Sequence, residues 1–181
     1  MVIRCSCFGH RNVLVTKELY EQAKQIFVYL ITSKNVTEFL FGSKSDFDNM
    51  CYDVVNELKH IYPFIRRVVY TCRNEAGLLD KDKEAMERAF FAVTGECANM
   101  RSFDEIRTFD TVMVAGVSSY IQRNRAMIDD SDFCVFYYDT EYKPPQNRWR
   151  VQSGTALAYK YANSKKKHIF NLKDKNCQQK K

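Results

Sequence analysis

The stretch FLFGSKSDFD, from Phe39 to Asp48, joins the end of a strand to the start of a helix. Its first three residues are apolar or aromatic, which is typical of a buried strand. Gly42 permits a tight backbone turn, and Ser45 followed three residues later by Asp48 matches a capping box. An apolar stripe then recurs at helical spacing, at Phe47, Met50, Cys51, Val54, Val55 and Leu58. The stretch therefore predicts a strand, a small polar turn and a helix packed on a sheet.

The same alternation of strands and helices continues along the chain. Strands are predicted at Val2–Phe8, Val36–Phe41, Arg66–Cys72, Asp110–Ala115, Asp132–Tyr138 and His168–Leu172. Helices are predicted after Thr16 and Ser45, around Asp80–Val93, and at Ser119–Ser131 and Ser153–Lys165. Short apolar strands alternating with helices indicate βαβ units. We predict one α/β domain over residues 1–172, with three layers and a mostly parallel sheet covered by helices on both faces.

The bulk composition is that of an ordinary globular domain. A chain of 181 residues with 45% apolar and 28% charged residues can bury one core. No run is long enough to span a membrane, and the first residues lack a signal-peptide pattern, so we expect a cytoplasmic protein. The odd number of cysteines and the lack of a CxxC pair favour buried reduced thiols over disulfides. Cys5, Cys7 and His10 lack a fourth ligand, so neither a metal nor another cofactor is predicted.

The formal charge of +6 comes from the C-terminal end of the chain. From Tyr159 onward there are eight lysines and one aspartate, so the preceding part is nearly neutral. Residues 173–181 form a lysine-rich tail. A solvated tail is the simplest interpretation, and a nucleic-acid contact through these lysines is the alternative.

Ligands of open parallel sheets bind outside the carboxyl ends of the strands. Small residues with accessible N–H groups, together with arginines, suit phosphate or carboxylate at such a place. Arg123 and Arg125 cannot share one helix face, so we expect at most one of them at this rim. For the turn after the second strand, anion binding and simple helix capping both remain open. The candidate ligand-binding residues are Gly9, His10, Arg11, Gly42, Ser43, Ser45, Asp48, Gly116, Arg123, Asn124, Ser153, Gly154 and Thr155.

These motifs, in this order, resemble the SLOG superfamily, and most closely its YpsA-like branch of bacteria and phages. SLOG proteins are a Rossmann-like group that includes the cytokinin-activating LOG phosphoribohydrolases and DNA-processing protein A. The resemblance spans roughly residues 1–172. It rests on CFGHR at Cys7–Arg11, FLFGSKSDFD, RNRAMIDDSDFCVFYY at Arg123–Tyr138, and SGTALAYKYA at Ser153–Ala162.

The resemblance implies a nucleotide or nucleotide-derived ligand, held by the GHR turn, the turn after the second strand and the SGT helix start. Binding or sensing of that ligand is the first expectation, with no catalytic residue identified. The alternatives are a nucleotide N-glycosidic (phosphoribo)hydrolase and a nucleic-acid-binding protein of the DNA-processing type. LOG enzymes carry a glutamate where this chain has Ala158, which counts against the hydrolase. The nearly neutral charge of the chain before Tyr159 counts against the nucleic-acid-binding alternative. Whether the protein forms a homo-oligomer is left open.

Overall fold

The computed structural model describes residues 2–42, 45–72, 110–115, 120–142 and 153–174. Within these residues the strands are β1 (Ile3–Gly9), β2 (Val36–Phe41), β3 (Arg66–Thr71), β4 (Thr111–Val114), β5 (Phe133–Tyr137) and β6 (His168–Asn171). The helices are α1 (Lys17–Lys34), α2 (Asp46–Ile61), α3 (Tyr120–Asp129) and α4 (Gly154–Ser164). The predicted helix around Asp80–Val93 lies outside the described residues.

The described strands form one parallel sheet in the order β4-β3-β2-β1-β5-β6. The prediction of an α/β, Rossmann-like domain is confirmed, and every described strand pair is parallel. From β1 the chain builds the sheet outward through β2, β3 and β4, and later returns to the other side of β1 as β5. The strand order therefore reverses at β1, and a crevice opens at the carboxyl end of a strand where this happens.

Each face of the sheet carries a hydrophobic core. On one face, α1 and α2 pack over alternate residues of β1 and β2, such as Cys7 and Phe39. On the other face, α3 and α4 cover residues such as Phe8, Leu40 and Phe136. Neighbouring strand residues therefore point into different cores, as the pleat of a strand requires. No helix among the described residues is both long and apolar enough to cross a membrane.

Side-chain caps set the starts of three helices, because the first N–H groups of a helix lack partners inside it. Thr16 accepts a hydrogen bond from the Leu19 N–H at the start of α1. Ser45 and Ser153 do the same for Asp48 and Ala156 at the starts of α2 and α4. The cap predicted at Ser45 is confirmed, and α1 begins directly after Thr16 as predicted. Two of these capped starts, those of α2 and α4, face the carboxyl edge of the sheet.

Five of the cysteines fall in the described residues, and all five are buried and outside any disulfide. Cys5, Cys7 and Cys51 belong to the core under α1 and α2. Burial raises the pKa of the Cys5 and Cys51 thiols, which keeps them protonated and unreactive. Cys97 and Cys177 lie outside the described residues.

Candidate functional site

A cavity of about 70 Å³ opens at the carboxyl ends of β1 and β2. It lies at the strand where the sheet order reverses. Two buried charged groups line this small volume, the Asp48 carboxyl group and the Arg123 guanidinium group. Its lining comes from β1, the β2–α2 turn, α3 and the start of α4, and consists of Cys7, Phe8, Gly9, Gly42, Ser45, Asp48, Arg123, Asn124 and Thr155.

Arg123 reaches the cavity from α3 and lies over Gly42. Its side chain is only 4% exposed, its Nη2 donates to the Asn124 side chain at 3.2 Å, and its Cζ lies 5.0 Å from the centre of the Tyr120 ring. A Cβ atom added to Gly42 would stand 2.8 Å from Arg123 Nη2. Gly42 is therefore needed for the close approach of the guanidinium group as well as for the turn. Arg125 is exposed and lies over Tyr161, so the prediction that at most one of the two arginines faces the rim is confirmed.

Gly9 brings β1 into direct contact with α2. A Cβ atom at Gly9 would lie 2.3 Å from Phe47 Cβ and 2.5 Å from Phe47 Cγ. Phe47 is fully buried in the core under α1 and α2. This contact sets the distance between the end of β1 and the first turn of α2, and with it the width of the cavity.

The start of α2 provides an acidic wall and little anion-binding capacity. The Asp46 N–H donates to the Arg11 carbonyl at 2.9 Å, and the Asp48 N–H donates to Ser45 Oγ at 3.0 Å. Both aspartates also stand in the first turn. Free N–H groups and a net positive end are what an anion needs at a helix start. Of the two interpretations left open for this turn, the capping of α2 is the one that these hydrogen bonds support.

The two aspartates of α2 have different surroundings. Asp46 is exposed, and its Oδ2 accepts from the Val13 N–H at 3.1 Å, which fastens the β1–α1 loop. Asp48 is buried, and its Oδ1 accepts from the Gly42 N–H at 3.2 Å. Only the Ser45 half of the predicted capping box forms, because the Asp48 carboxyl group bonds to the turn at Gly42. Of the two carboxyl groups, only that of Asp48 lines the cavity.

The start of α4 has the opposite character. Its first turn contains no acidic residue, and Ser153 Oγ accepts from the Ala156 N–H at 3.1 Å. Among the residues described, neither the Gly154 nor the Thr155 N–H donates to a protein acceptor. A Cβ atom at Gly154 would meet nothing within 4 Å, and Thr155 lines the cavity. The cavity thus has a donor side, formed by Arg123 and the start of α4, and an acceptor side, formed by Asp48.

His10 fastens the segment that follows β5. The Asp139 N–H donates to His10 Nε2 at 3.1 Å, so the proton of the neutral ring is on Nδ1. Nδ1 is buried and has no hydrogen-bond partner among the described residues. The Tyr142 ring stacks on the imidazole with 3.8 Å between centroids. His10 therefore lies beside the cavity and not in its lining, and its ligand role stays a prediction.

Acidic pH is expected to destabilise the protein through His10. Burial lowers the pKa of His10, the nearby Asp139 partly opposes this and Lys173 adds to it. The unfolded chain, with a histidine pKa near 6.5, then binds a proton more readily than the folded protein. The free energy of unfolding is therefore undiminished above the unfolded-chain pKa. It decreases as the pH falls through the lowered pKa of His10 in the folded protein. Urea unfolding at pH 7.5 and pH 5.0 tests this. Between these two pH values, His10→Gln should lose less free energy of unfolding than wild type. The control variant His60→Gln, at an exposed histidine, should lose as much as wild type.

The other predicted site residues fall at different places. Arg11 is exposed at the end of the β1 turn, and its side chain is not in the cavity lining. Ser43 and Gly116 lie outside the described residues. Ala158, where LOG enzymes carry a glutamate, is buried in the core under α3 and α4, so no carboxylate stands there. Lys173, the first residue of the predicted tail, pairs with Asp139 at 2.9 Å, while residues 175–181 lie outside the described part.

Cys7 and Phe8 line the cavity but were not among the predicted site residues. They were assigned to the strand because their apolar character fits burial equally well. Both lie in the last residues of β1, at the carboxyl end of the strand where the cavity opens. Tyr142 lies outside every predicted strand and helix, and no sequence signal pairs it with His10.

In the described part of the chain, no group of three or more histidine, cysteine, aspartate or glutamate side chains is placed to hold a metal ion. Cys5 and Cys7 are packed in the core, and His10 is engaged by Asp139 and Tyr142. No model of a known protein family matches the chain, and comparison with curated proteins finds no match.

Proposed function

We propose that the protein binds a nucleotide or a nucleotide-derived ligand at the carboxyl ends of β1 and β2. The observation that carries this is the buried Arg123 guanidinium group in a cavity that also contains the start of α4. A guanidinium group and the first N–H groups of a helix are both donors suited to phosphate oxygens. The phosphate would therefore lie between Arg123 and Thr155, on the donor side of the cavity.

The volume of the cavity limits what enters it. Pockets that hold a whole small ligand measure about 300–1,000 Å³, whereas this cavity measures about 70 Å³. One phosphate with an adjoining group fits, and the rest of a nucleotide would extend over the neighbouring strand ends. We place the phosphate at α4 and not at α2, because the first turn of α2 has two acids, Asp46 and Asp48, whose own N–H groups are already bonded.

Thermal unfolding in the presence of candidate ligands tests the proposal. A ligand that binds only the folded state at 100 times its Kd adds about 2.7 kcal/mol of stability, which for a chain of this size raises Tm by roughly 5–10 °C. We expect a concentration-dependent rise with at least one of AMP, GMP, CMP, UMP, ADP-ribose or a cyclic dinucleotide. The matched nucleosides, which lack phosphate, should give a much smaller rise.

Sodium chloride at equal ionic strength is the control for unspecific salt effects. A shift that salt reproduces would remove the proposed function. So would a flat response to every nucleotide up to about 5 mM, a concentration about 5,000 times a Kd of 1 μM.

A further inference from the structure

The donor side of the cavity fits a phosphate, but its acceptor side does not. The Asp48 side chain is 4% exposed and lines the same small volume as Arg123. A buried carboxylate repels a phosphate placed against it and attracts hydrogen-bond donors. The part of a ligand that reaches Asp48 therefore cannot be anionic and has to carry O–H or N–H groups.

The position of Asp48 is fixed by the protein itself. Its N–H is held by Ser45 Oγ at 3.0 Å, and its Oδ1 accepts from the Gly42 N–H at 3.2 Å. A carboxylate has two oxygens with about four acceptor directions, so it can accept from a ligand while it holds the turn. A donor presented by a ligand would meet an acceptor that needs little reorganisation.

A nucleotide offers two kinds of donor, the hydroxyl groups of its ribose and the amino group of its base. The ribose adjoins the phosphate, whereas the base lies on the far side of the sugar. Because Asp48 and Arg123 line one cavity of about 70 Å³, the group beside Asp48 must lie close to the phosphate beside Arg123. The ribose hydroxyls meet this condition and the base amino group does not.

We propose that Asp48 accepts hydrogen bonds from the ribose hydroxyls of the ligand, so that the site selects ribonucleotides over 2′-deoxyribonucleotides. This inference rests on the proposed function. Asp48 stands in the first turn of α2, directly after β2 and its turn.

Calorimetric titration of the full chain with AMP, GMP, CMP and UMP, each beside its 2′-deoxy counterpart, tests the inference. Losing a hydrogen bond to a charged acceptor weakens binding about 10- to 150-fold. We expect the wild type to prefer the ribose form of any nucleotide it binds by about tenfold or more. Binding of neither sugar form removes the proposed function, whereas equal binding of both forms removes only the role of Asp48.

The variant Asp48→Asn separates the charge from the packing, because its amide oxygen can still accept from Gly42. We expect its preference for ribose to fall to about threefold or less, since a neutral acceptor bonds more weakly than a charged one. Asp46→Asn is the matched control, because Asp46 stands in the same helical turn and binds a backbone N–H but does not line the cavity. It should keep the wild-type ratio. An unchanged preference for ribose in Asp48→Asn, or an equal loss of this preference in Asp48→Asn and Asp46→Asn, would overturn the role of Asp48. If Asp48→Asn does not fold, the preference of the wild type for ribose still tests the proposal.

Discussion

Gly9→Ala is expected to lower the free energy of unfolding by about 2–3 kcal/mol, the upper part of the range for overpacking a tightly packed core. The added methyl carbon would stand 2.3 Å from Phe47 Cβ. That atom is attached directly to the α2 backbone, so a new rotamer of Phe47 cannot move it. Relief requires α2 to shift away from β1, which disturbs a core in which Phe47 is fully buried. Urea unfolding followed by circular dichroism measures the change.

Gly154→Ala is the matched control for this prediction. Gly154 is the first residue of α4, and a Cβ atom there would meet nothing within 4 Å. Alanine has a higher helix propensity than glycine, so the variant should be as stable as wild type or a few tenths of a kcal/mol more stable. Wild-type stability in Gly9→Ala would mean that β1 and α2 are not in the close contact described here.

Most element positions could be predicted from the sequence, because short apolar runs, helical stripes and N-cap residues act locally. The strand Val36–Phe41 was predicted with its observed bounds, and α2 begins directly after its predicted cap at Ser45. The strand order could not be predicted in this way. Periodicity tells which side of an element is buried, but not which distant element lies against that side.

The same limit applies to the site. The spacing of Ser45 and Asp48 correctly indicated a capped helix, but the Asp48 carboxyl group bonds to Gly42 and lines the cavity. The other buried charged residue of the lining, Arg123, is 81 positions from Gly42 along the chain. The sequence offered one reason for the glycine, the turn. The second reason, the guanidinium group above it, depends on a contact between distant segments.

Arg123→Met is expected to weaken nucleotide binding by about 10- to 150-fold, which corresponds to the loss of about 1.5–3 kcal/mol for a hydrogen-bonded charged pair. Methionine can replace part of the buried stem of the arginine but supplies no donor. The guanidinium group is held over Gly42 and beside Asn124 before any ligand arrives. A donor fixed in this way gives up little conformational entropy on binding, which supports a loss toward the upper end of the range.

Arg125→Met is the control for the loss of a positive charge from α3, because Arg125 is exposed over Tyr161. It should leave affinity within about threefold of wild type, as expected for a screened surface charge. Arg11→Ala tests the other arginine that the sequence placed at the rim. Because its side chain is exposed and outside the cavity lining, we expect it to cost less affinity than Arg123→Met.

Gly42→Ala provides a test that leaves every charge in place. Its methyl group would lie 2.8 Å from Arg123 Nη2 and 3.1 Å from Cζ, and the flexible end of the arginine can move to relieve the contact. Stability should therefore fall less than in Gly9→Ala, while nucleotide affinity should fall by about tenfold, because a displaced guanidinium group no longer aligns its donors with the phosphate. Titration calorimetry with the nucleotide that raises Tm most in wild type measures all four variants. Full affinity in both Arg123→Met and Gly42→Ala would show that the phosphate is bound elsewhere.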